Sequence, residues 1–335
     1  MNIKYNYSLL SHNTFGIEVK AEEFIEFYTV EEALDLSKTL KQKKWFVLGQ
    51  GSNLLFLNDF KGVVLHSGIR QMKKIKEDDQ FVYFEVGSGV VWDQFVEFCV
   101  KNNWSGIENL SSIPGEVGAA AVQNIGAYGM EVQEAIEKVK AIDTATSQLM
   151  EFSKEGCQYG YRQSIFKNQY KGRYILTSVV FRLSKEPNFR LHYQHLEEEV
   201  RKRGNINLQT IRETIIQIRS QKLPDFRTMG NAGSFFVNPV VSKVHFQRLQ
   251  SEYPEIPHYY ISETEEKIPA AWLIEQCGWK GKQVGKVAVH AKQPLVIVNC
   301  GGASGSEIKQ LAEEIQLSVK NKFDIQLQPE VNYIE

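Results

Sequence analysis

A single hydroxyl, Ser234, stands in the stretch GNAGSFFVNP (230–239), where turn-forming residues give way to an apolar run. Such a serine either closes the turn or presents its hydroxyl from the start of a rigid strand. It is not the nucleophile of a hydrolase elbow, because positions 232 and 236 are alanine and phenylalanine where that turn needs glycines. Arg162 lies in YGYRQSIFKN (159–168), among Tyr161, Ser164 and Phe166. Its planar fork suits a carboxylate or phosphate, and a semi-buried aromatic setting demands such a partner. The partner is either a ligand or an internal carboxylate such as Glu330, which comes directly after Pro329 near the end of the chain. His192 and His195 have three-residue spacing but no evident third ligand, and LHYQHLEEE reads as a solvated helix start, so no metal site is expected.

Two glycine-rich stretches suggest binding. Gly49-Gln50-Gly51-Ser52-Asn53 comes after one apolar strand and enters another instead of a helix, which argues against the usual dinucleotide fingerprint. No P-loop pattern occurs. What remains is a hairpin turn, or a nest of backbone N–H groups that takes an anion with help from Ser52 and Asn53. The stretch SIPGEVGAAAVQNIGAYG (112–129) has almost no large side chain. It is either a small-residue helix packed closely on a sheet or a surface that a ligand approaches, with amides from Gln123 and Asn124. Two such stretches in one region favour a bound dinucleotide.

Hydrophobic periodicity supplies a framework for these residues. TVEEALDLSKTLKQKK (29–44) predicts an amphipathic helix with a capping box at Thr29 and Glu32. Strands are predicted within WFVLGQGSNLLFL (45–57), FVYFEVGSG (81–89), KVKAIDTA (138–145) and YILTSVVFRLSK (174–185). NLQTIRETIIQIRSQK (207–222) places Leu208, Ile211, Ile215 and Ile218 on one helical face, with Arg212 and Arg219 elsewhere. The charged RKRGN before it and Pro224 after it place a domain boundary at 205–225. IPAAWLIEQCG (268–278) predicts a short helix between Pro269 and Gly278, and Ser304 with Glu307 caps a long one. FDIQLQPEVNYI (323–334) alternates like a final strand with Glu330 on its polar face.

Composition limits the partners. The 335 residues are 42% apolar and 24% charged, an ordinary globular balance. Thirty-nine basic against 40 acidic side chains give a formal net charge of -1, so no overall field draws the chain to nucleic acid or a membrane. Any bound anion must be held locally. The absence of a signal-peptide core or a long apolar run leads to the expectation of a cytoplasmic protein. Cys99, Cys157, Cys277 and Cys300 are widely spaced and are expected to be reduced, buried thiols.

Taken in order, NTFGI (13–17), GQGSNLLF (49–56), ENLSSIPGEVGAAAVQNIGAYG (108–129), YGYRQSIFKN, KLPDF (222–226), GNAGSFFVNP, AAWLIEQCG (270–278) and PEVNYI (329–334) resemble one family. It is the UDP-N-acetylenolpyruvoylglucosamine reductase (UDP-N-acetylmuramate dehydrogenase) family, and Tyr193 matches the tyrosine of its first type. The resemblance implies an α+β chain: an FAD-binding fold of the vanillyl-alcohol-oxidase (PCMH) type with a separate α+β substrate-binding domain. The implied segments are 1–67, joined by the C-terminal strand 325–335, then 68–223, and a substrate domain at 224–324. It further implies an enzyme of peptidoglycan precursor synthesis, with non-covalent FAD, NADPH as electron donor and a UDP-sugar substrate; a monomer is expected.

Residues matching the family's FAD contacts are Gly49, Gly51, Ser52, Asn53, Leu54, Ile113, Pro114, Gly115, Gln123, Asn124, Gly126, Ala127, Tyr128 and Arg219. Tyr161, Tyr193, Lys222, Asn238 and Gln293 match substrate contacts. The implied reaction passes hydride from flavin N5 to C3 of the enolpyruvyl group, after which C2 needs a proton. Ser234 matches the proton donor, and Arg162 and Glu330 match the pair that stabilises charge developing on the carboxylate. Glu330 is either protonated in the complex or acts through Arg162 or water. Val237 departs from the family pattern, since many members carry lysine there. Two other readings share parts of this pattern: a different flavin oxidase or dehydrogenase of the same fold, and a non-catalytic sugar-nucleotide binder.

Overall fold

Strand alternation and helical periodicity assemble two compact units. The computed structural model describes residues 1–193 and 195–335. One unit comprises Met1–Tyr7, Ala21–Gln50 and Lys61–Arg219, and the other Ser8–Lys20, Gly51–Phe60 and Ser220–Glu335.

The first unit is built on two sheets. In the smaller, strands Asn2–Ser8, Lys20–Phe27, Phe60–Ser67 and Trp45–Val47 lie side by side in that order. In the larger the order is Gln148–Ser153, Ile136–Asp143, Tyr174–Ser184, Phe81–Gly87 and Met72–Glu77, each neighbour antiparallel. The central strand Tyr174–Ser184 is buried along most of its length, as a strand covered on both faces must be. The edge strand Met72–Glu77 is exposed throughout, and its lysines discourage pairing with another chain. Helix Trp92–Lys101 turns Trp92 and Phe95 into the core against Phe181, and the Trp92 indole N–H donates to the Leu110 carbonyl at 2.9 Å. Helix Val117–Gln123 packs so closely that a Cβ on Gly118 would lie 2.8 Å from the Ser88 Cβ. The missing side chain at Gly118 is therefore used for close packing.

Helix Val30–Thr39 is shorter than its sequence pattern, and its capping differs from the expected box. Thr29 accepts the Glu32 N–H, but the Glu32 carboxylate takes the N–H of Tyr28, one residue early. Its apolar face joins Ile25, Phe27, Val63 and Leu65 from the smaller sheet to Ile142 and Ile175 from the larger.

The second unit holds two three-stranded sheets, one formed by Val240–Ser242, Glu265–Lys267 and Tyr259–Ser262, the other by Gln283–Val284, Val287–Val289 and Ile297–Asn299. Helices Lys243–Glu252, Ala270–Gln276 and Gly305–Phe323 accompany them. The last is closed by the predicted reciprocal box of Ser304 and Glu307 and buries Ile308, Leu311, Ala312, Ile315, Val319 and Phe323.

Several expectations need correction. WFVLGQGSNLLFL is not a hairpin: Trp45–Val47 pairs in parallel with Val63–Leu65, whereas Leu54–Phe56 pairs in parallel with Asn332–Ile334. The final strand is only Asn332–Ile334. Residues 324–328 keep the burial alternation of a strand, but Asp324 is left-handed and Pro329 has no N–H to give a ladder. Phe235-Phe236-Val237 likewise forms no regular strand, only an isolated bridge from Phe236 to Pro329. Of the cysteines, Cys99 and Cys157 are buried, Cys277 is intermediate and Cys300 is exposed, all as free thiols. Among the described residues, no helix is long and apolar enough to cross a membrane.

A glycine fixes the start of the Ser234 segment. A Cβ at Gly230 would fall 2.2 Å from the Phe15 carbonyl oxygen, and the Asn299 amide already donates to that oxygen at 2.9 Å. Gly230→Ala is therefore expected to lower the free energy of unfolding by about 2–4 kcal/mol, measured by urea titration. A loss below about 0.5 kcal/mol would mean that this backbone contact yields easily.

Candidate active site

In the first unit, the turn at Ser112–Gly115 is held from three sides. Ser112 has a left-handed φ of +60°, a conformation that costs a non-glycine residue energy and must be imposed by its surroundings. Asp93 imposes it by accepting the Ser112 N–H at 2.5 Å while receiving Arg212 bidentately at 2.6 and 2.8 Å. Burial alone would raise the Asp93 pKa, but Arg212 and the Ser112 N–H outweigh it and hold the carboxyl below its ordinary value. The Gly115 N–H donates to the Gln50 side-chain oxygen at 2.9 Å, tying the turn to the residue between Gly49 and Gly51. Arg219 donates to the Ser112 carbonyl at 3.2 Å.

Arg212 is thus a buried structural cation, a role that its sequence did not reveal. It stands seven residues, close to two helical turns, before Arg219, so both guanidiniums reach the same side of helix Leu208–Lys222. Asp93 and Gln50 carried no recognisable signal at all. Their roles depend on partners distant in sequence.

Arg162 has a left-handed φ of +58°, and its Nη2 donates to the Gly126 carbonyl at 2.7 Å. Its guanidinium lies 5.8 Å from the Tyr161 ring centroid. Asn124 is also left-handed and fully buried; its amide donates to Glu131 at 2.9 Å and to the Gly160 carbonyl at 2.8 Å, and accepts the Gln133 N–H at 3.2 Å. With those bonds its side chain serves the protein, tying the end of helix Val117–Gln123 to the turn that carries Arg162. Gln123, Ile113, Gly126, Ala127 and Tyr128 are half-buried and Pro114 is exposed. Tyr193 meets Tyr128 edge-on, with ring centroids 5.9 Å apart, and it and Tyr161 keep much of their surface in solvent.

The electrostatics of this half suit an anion. Desolvation of the Arg219 guanidinium lowers its pKa, Tyr128 and Asp93 pull it back up, and Arg162 lowers it further by repulsion. Its hydrogen-bond partners, the Ser112 carbonyl and the Tyr128 phenol, are neutral. A half-buried guanidinium beside a second cation and a bed of small residues is a fitting place for the diphosphate of a dinucleotide. Gly49, Ile113 to Gly115, Gln123, Gly126 to Tyr128 and Arg219, matched in sequence to FAD contacts, could hold such a group there.

In the second unit, the two phenylalanines act as an anchor. Phe235 and Phe236 are fully buried and Ser234 is exposed. Gly233 turns the chain with a φ of +69°, its N–H held by the Asn231 side chain at 3.0 Å. Phe235 donates to the Leu295 carbonyl at 2.7 Å and accepts the Glu330 N–H at 2.8 Å, while Val237 donates to the Gln328 carbonyl at 2.9 Å. Ser234 and Glu330 therefore lie on adjacent, directly bonded segments. Asn53 joins this set through a bond from its amide to the Glu330 carbonyl at 3.3 Å, and Leu54 opens the strand beside Asn332. Gly51 has a φ of +64°, and a Cβ there would sit 2.1 Å from the His12 carbonyl oxygen.

The remaining substrate candidates of this unit are more dispersed. The Asn238 side-chain oxygen accepts the Ala270 N–H at 2.9 Å, capping helix Ala270–Gln276. The Gln293 carbonyl accepts the Val296 N–H at 2.9 Å in a turn, and Lys222 is exposed. No cluster of three metal-ligating side chains occurs among the described residues.

Comparison with known proteins identifies this arrangement. The family model for the C-terminal domain of UDP-N-acetylenolpyruvoylglucosamine reductase matches residues 224–334, and an FAD binding domain model matches residues 24–153. A UDP-N-acetylenolpyruvoylglucosamine reductase of Bacteroides fragilis is 47% identical over 333 residues, covering 99% of this chain and 100% of that protein. The chain belongs to the UDP-N-acetylenolpyruvoylglucosamine reductase family. The fold agrees with the crystal structure of the reductase from Thermus caldophilus, with a TM-score of 0.70 at 23% identity over 100% of this chain and 98% of that one. Substrate-bound p-cresol methylhydroxylase has a TM-score of 0.50 at 12% identity, covering 94% of this chain and 82% of its own. The reductase fold is thus of the PCMH type expected, and FAD is its cofactor.

The Asp93 network makes a stability prediction. Asp93→Asn is expected to cost about 1–2 kcal/mol at neutral pH, less than a fully buried pair would, because its side chain keeps 34% of its surface in solvent. With the folded pKa depressed, the wild-type advantage is fully present above the ordinary carboxylate value of about 3.9 and is lost as the pH falls through the lower folded value. Urea titrations of both proteins at neutral pH and below about pH 3 should show the difference shrinking; a gap independent of pH would rule out the ionic origin.

Proposed function

We propose that Ser234 is the acid and Arg162 the charge-stabilising group of an NADPH-dependent reduction of UDP-N-acetyl-enolpyruvoylglucosamine to UDP-N-acetylmuramate, a step of peptidoglycan precursor synthesis. The observation that carries the reading is the setting of Ser234: an exposed hydroxyl between a left-handed glycine and two fully buried phenylalanines, next to the segment of Glu330. The chemistry supplied by bound FAD is hydride transfer, received from NADPH and passed to C3 of the enolpyruvyl double bond. Everything else falls to side chains of the protein.

Hydride addition at C3 leaves C2 strongly basic, with negative charge shared by the adjoining carboxylate. Ser234 Oγ gives its proton to C2. A hydroxyl is a weak acid, so its usefulness lies in placement, and the buried Phe235 and Phe236 side chains fix the backbone from which it projects. The Arg162 guanidinium opposes the growing charge, an effect that strengthens as substrate displaces water. Its left-handed backbone and its bond to the Gly126 carbonyl restrict the directions its fork can take. Glu330 acts either as a neutral acid or through Arg162 or water, because a bare carboxylate beside the enolate would raise the barrier.

Lys222, Asn238, Gln293, Tyr161 and Tyr193 are assigned to the sugar nucleotide. Of these, Tyr193 stands beside Tyr128, and Lys222 offers an exposed ammonium for phosphate. The enzyme acts in this reading as a cytoplasmic monomer.

The test is anaerobic. NADPH-reduced protein is mixed with the enolpyruvyl sugar nucleotide, and flavin reoxidation is monitored in wild type and in Ser234→Ala. Loss of the acid is expected to slow formation of reduced product by about 10²- to 10⁴-fold while substrate affinity stays within a few-fold. Wild-type turnover in Ser234→Ala would assign the proton to another donor, and a wild-type flavin that stays reduced would overturn the substrate.

A further inference from the structure

Within the first unit a buried carboxyl is turned away from the bond its position offers. Glu116 immediately precedes helix Val117–Gln123, where an acidic side chain ordinarily accepts an N–H of the first turn, yet it makes no such bond. Its side chain, 6% exposed, reaches instead to His66 on strand Phe60–Ser67, with Oε1 3.0 Å from Nε2. The other oxygen lies beneath Gly49, since a Cβ there would fall 3.2 Å from Oε2. Glu116 also adjoins Gly115, whose N–H is bonded to Gln50. One buried carboxyl thus touches both glycine-rich stretches assigned to the dinucleotide.

We propose that Glu116 and His66 share one proton beneath the Gly49 turn, and that release of this proton places a negative charge in the wall of the FAD site and weakens the hold on FAD. The inference rests on the reading that this turn binds FAD. Whichever atom carries the shared proton, the pair is neutral with it and carries one negative charge without it. Other charged groups face the pair from neighbouring elements. Glu26, on strand Lys20–Phe27, has Oε1 3.9 Å from His66 Nδ1 and adds negative charge. Arg70, just beyond strand Phe60–Ser67, attracts the carboxylate and so favours release of the proton. Burial dominates, pushing Glu116 up to about 8 against the pull of Arg70, so release falls at mildly alkaline pH. The diphosphate of FAD carries charge of the same sign as the ionised pair. Repulsion inside a partly dry wall is screened little by salt.

The experiment monitors FAD release from diluted holoprotein by the return of flavin fluorescence, from about pH 6 to about pH 9, in wild type, Glu116→Gln and His66→Asn. In wild type the dissociation constant should rise roughly fivefold or more across that range, the scale expected of one added charge nearby. Glu116→Gln keeps the shape without the charge and should be flat. If that variant does not fold, His66→Asn carries the test, because removing the second holder of the proton should move the pH at which affinity falls. A pH-independent wild type, or equal slopes in wild type and Glu116→Gln, overturns the inference while leaving FAD binding intact. Failure of the wild type to retain or take up FAD at any pH overturns the reading beneath it as well.

Discussion

The partial burial of the Arg219 guanidinium is the constraint around which the first unit's site is organised. A desolvated cation is costly, and a protein of net charge -1 has no general field to absorb the cost. The nearby carboxylate Asp93 is already committed to Arg212, and that commitment also holds Ser112 in its left-handed conformation. Arg219 is left with a carbonyl and a phenol, both neutral. The same ion pair that stabilises the turn therefore preserves an electrostatic opening for an anion. Local structure and ligand preference come from one allocation of charge, and this is how an overall acidic chain can hold a dinucleotide.

What the sequence revealed were features carried by short-range patterns. The box of Ser304 and Glu307 and the apolar face of helix Gly305–Phe323 depend on neighbours within a few turns, so periodicity found them. The glycines at 49 and 51 were visible as glycines, although the reasons differ: one backs onto the Glu116 carboxyl and the other has a left-handed backbone against His12. Long-range choices were hidden. Alternation in residues 323–334 measured which side faces the core, and burial does alternate as far as residue 328, but alternation cannot report whether a partner strand offers matching N–H and C=O groups. Arg212 could be placed only off the apolar face of its helix, because its partner lies 119 residues away.

Part of the site was legible only as a set. Ser234, Arg162 and Glu330 were ambiguous singly, since each residue type is common in turns and ion pairs. Their motifs in a fixed order identified the family, and the structure adds that Ser234 and Glu330 occupy bonded neighbouring segments. Asn124, matched as a cofactor contact, bonds its amide to Glu131, Gly160 and Gln133. A residue can be characteristic of a binding site by shaping the backbone that binds.

The same distinction explains why Val237 is a tolerable departure. The contribution of position 237 to the Ser234 segment is a backbone N–H donated to the Gln328 carbonyl, which any residue except proline can make. Holding the hydroxyl is delegated elsewhere, to the buried rings of Phe235 and Phe236 and to the Glu330 N–H bonded at Phe235. Because an alcohol has little intrinsic acidity, its rate of proton delivery depends on how narrowly its position is defined. A serine anchored by two buried aromatic neighbours meets the positional demand of the proposed acid whatever side chain occupies position 237, so a valine there leaves the placement of the hydroxyl unchanged.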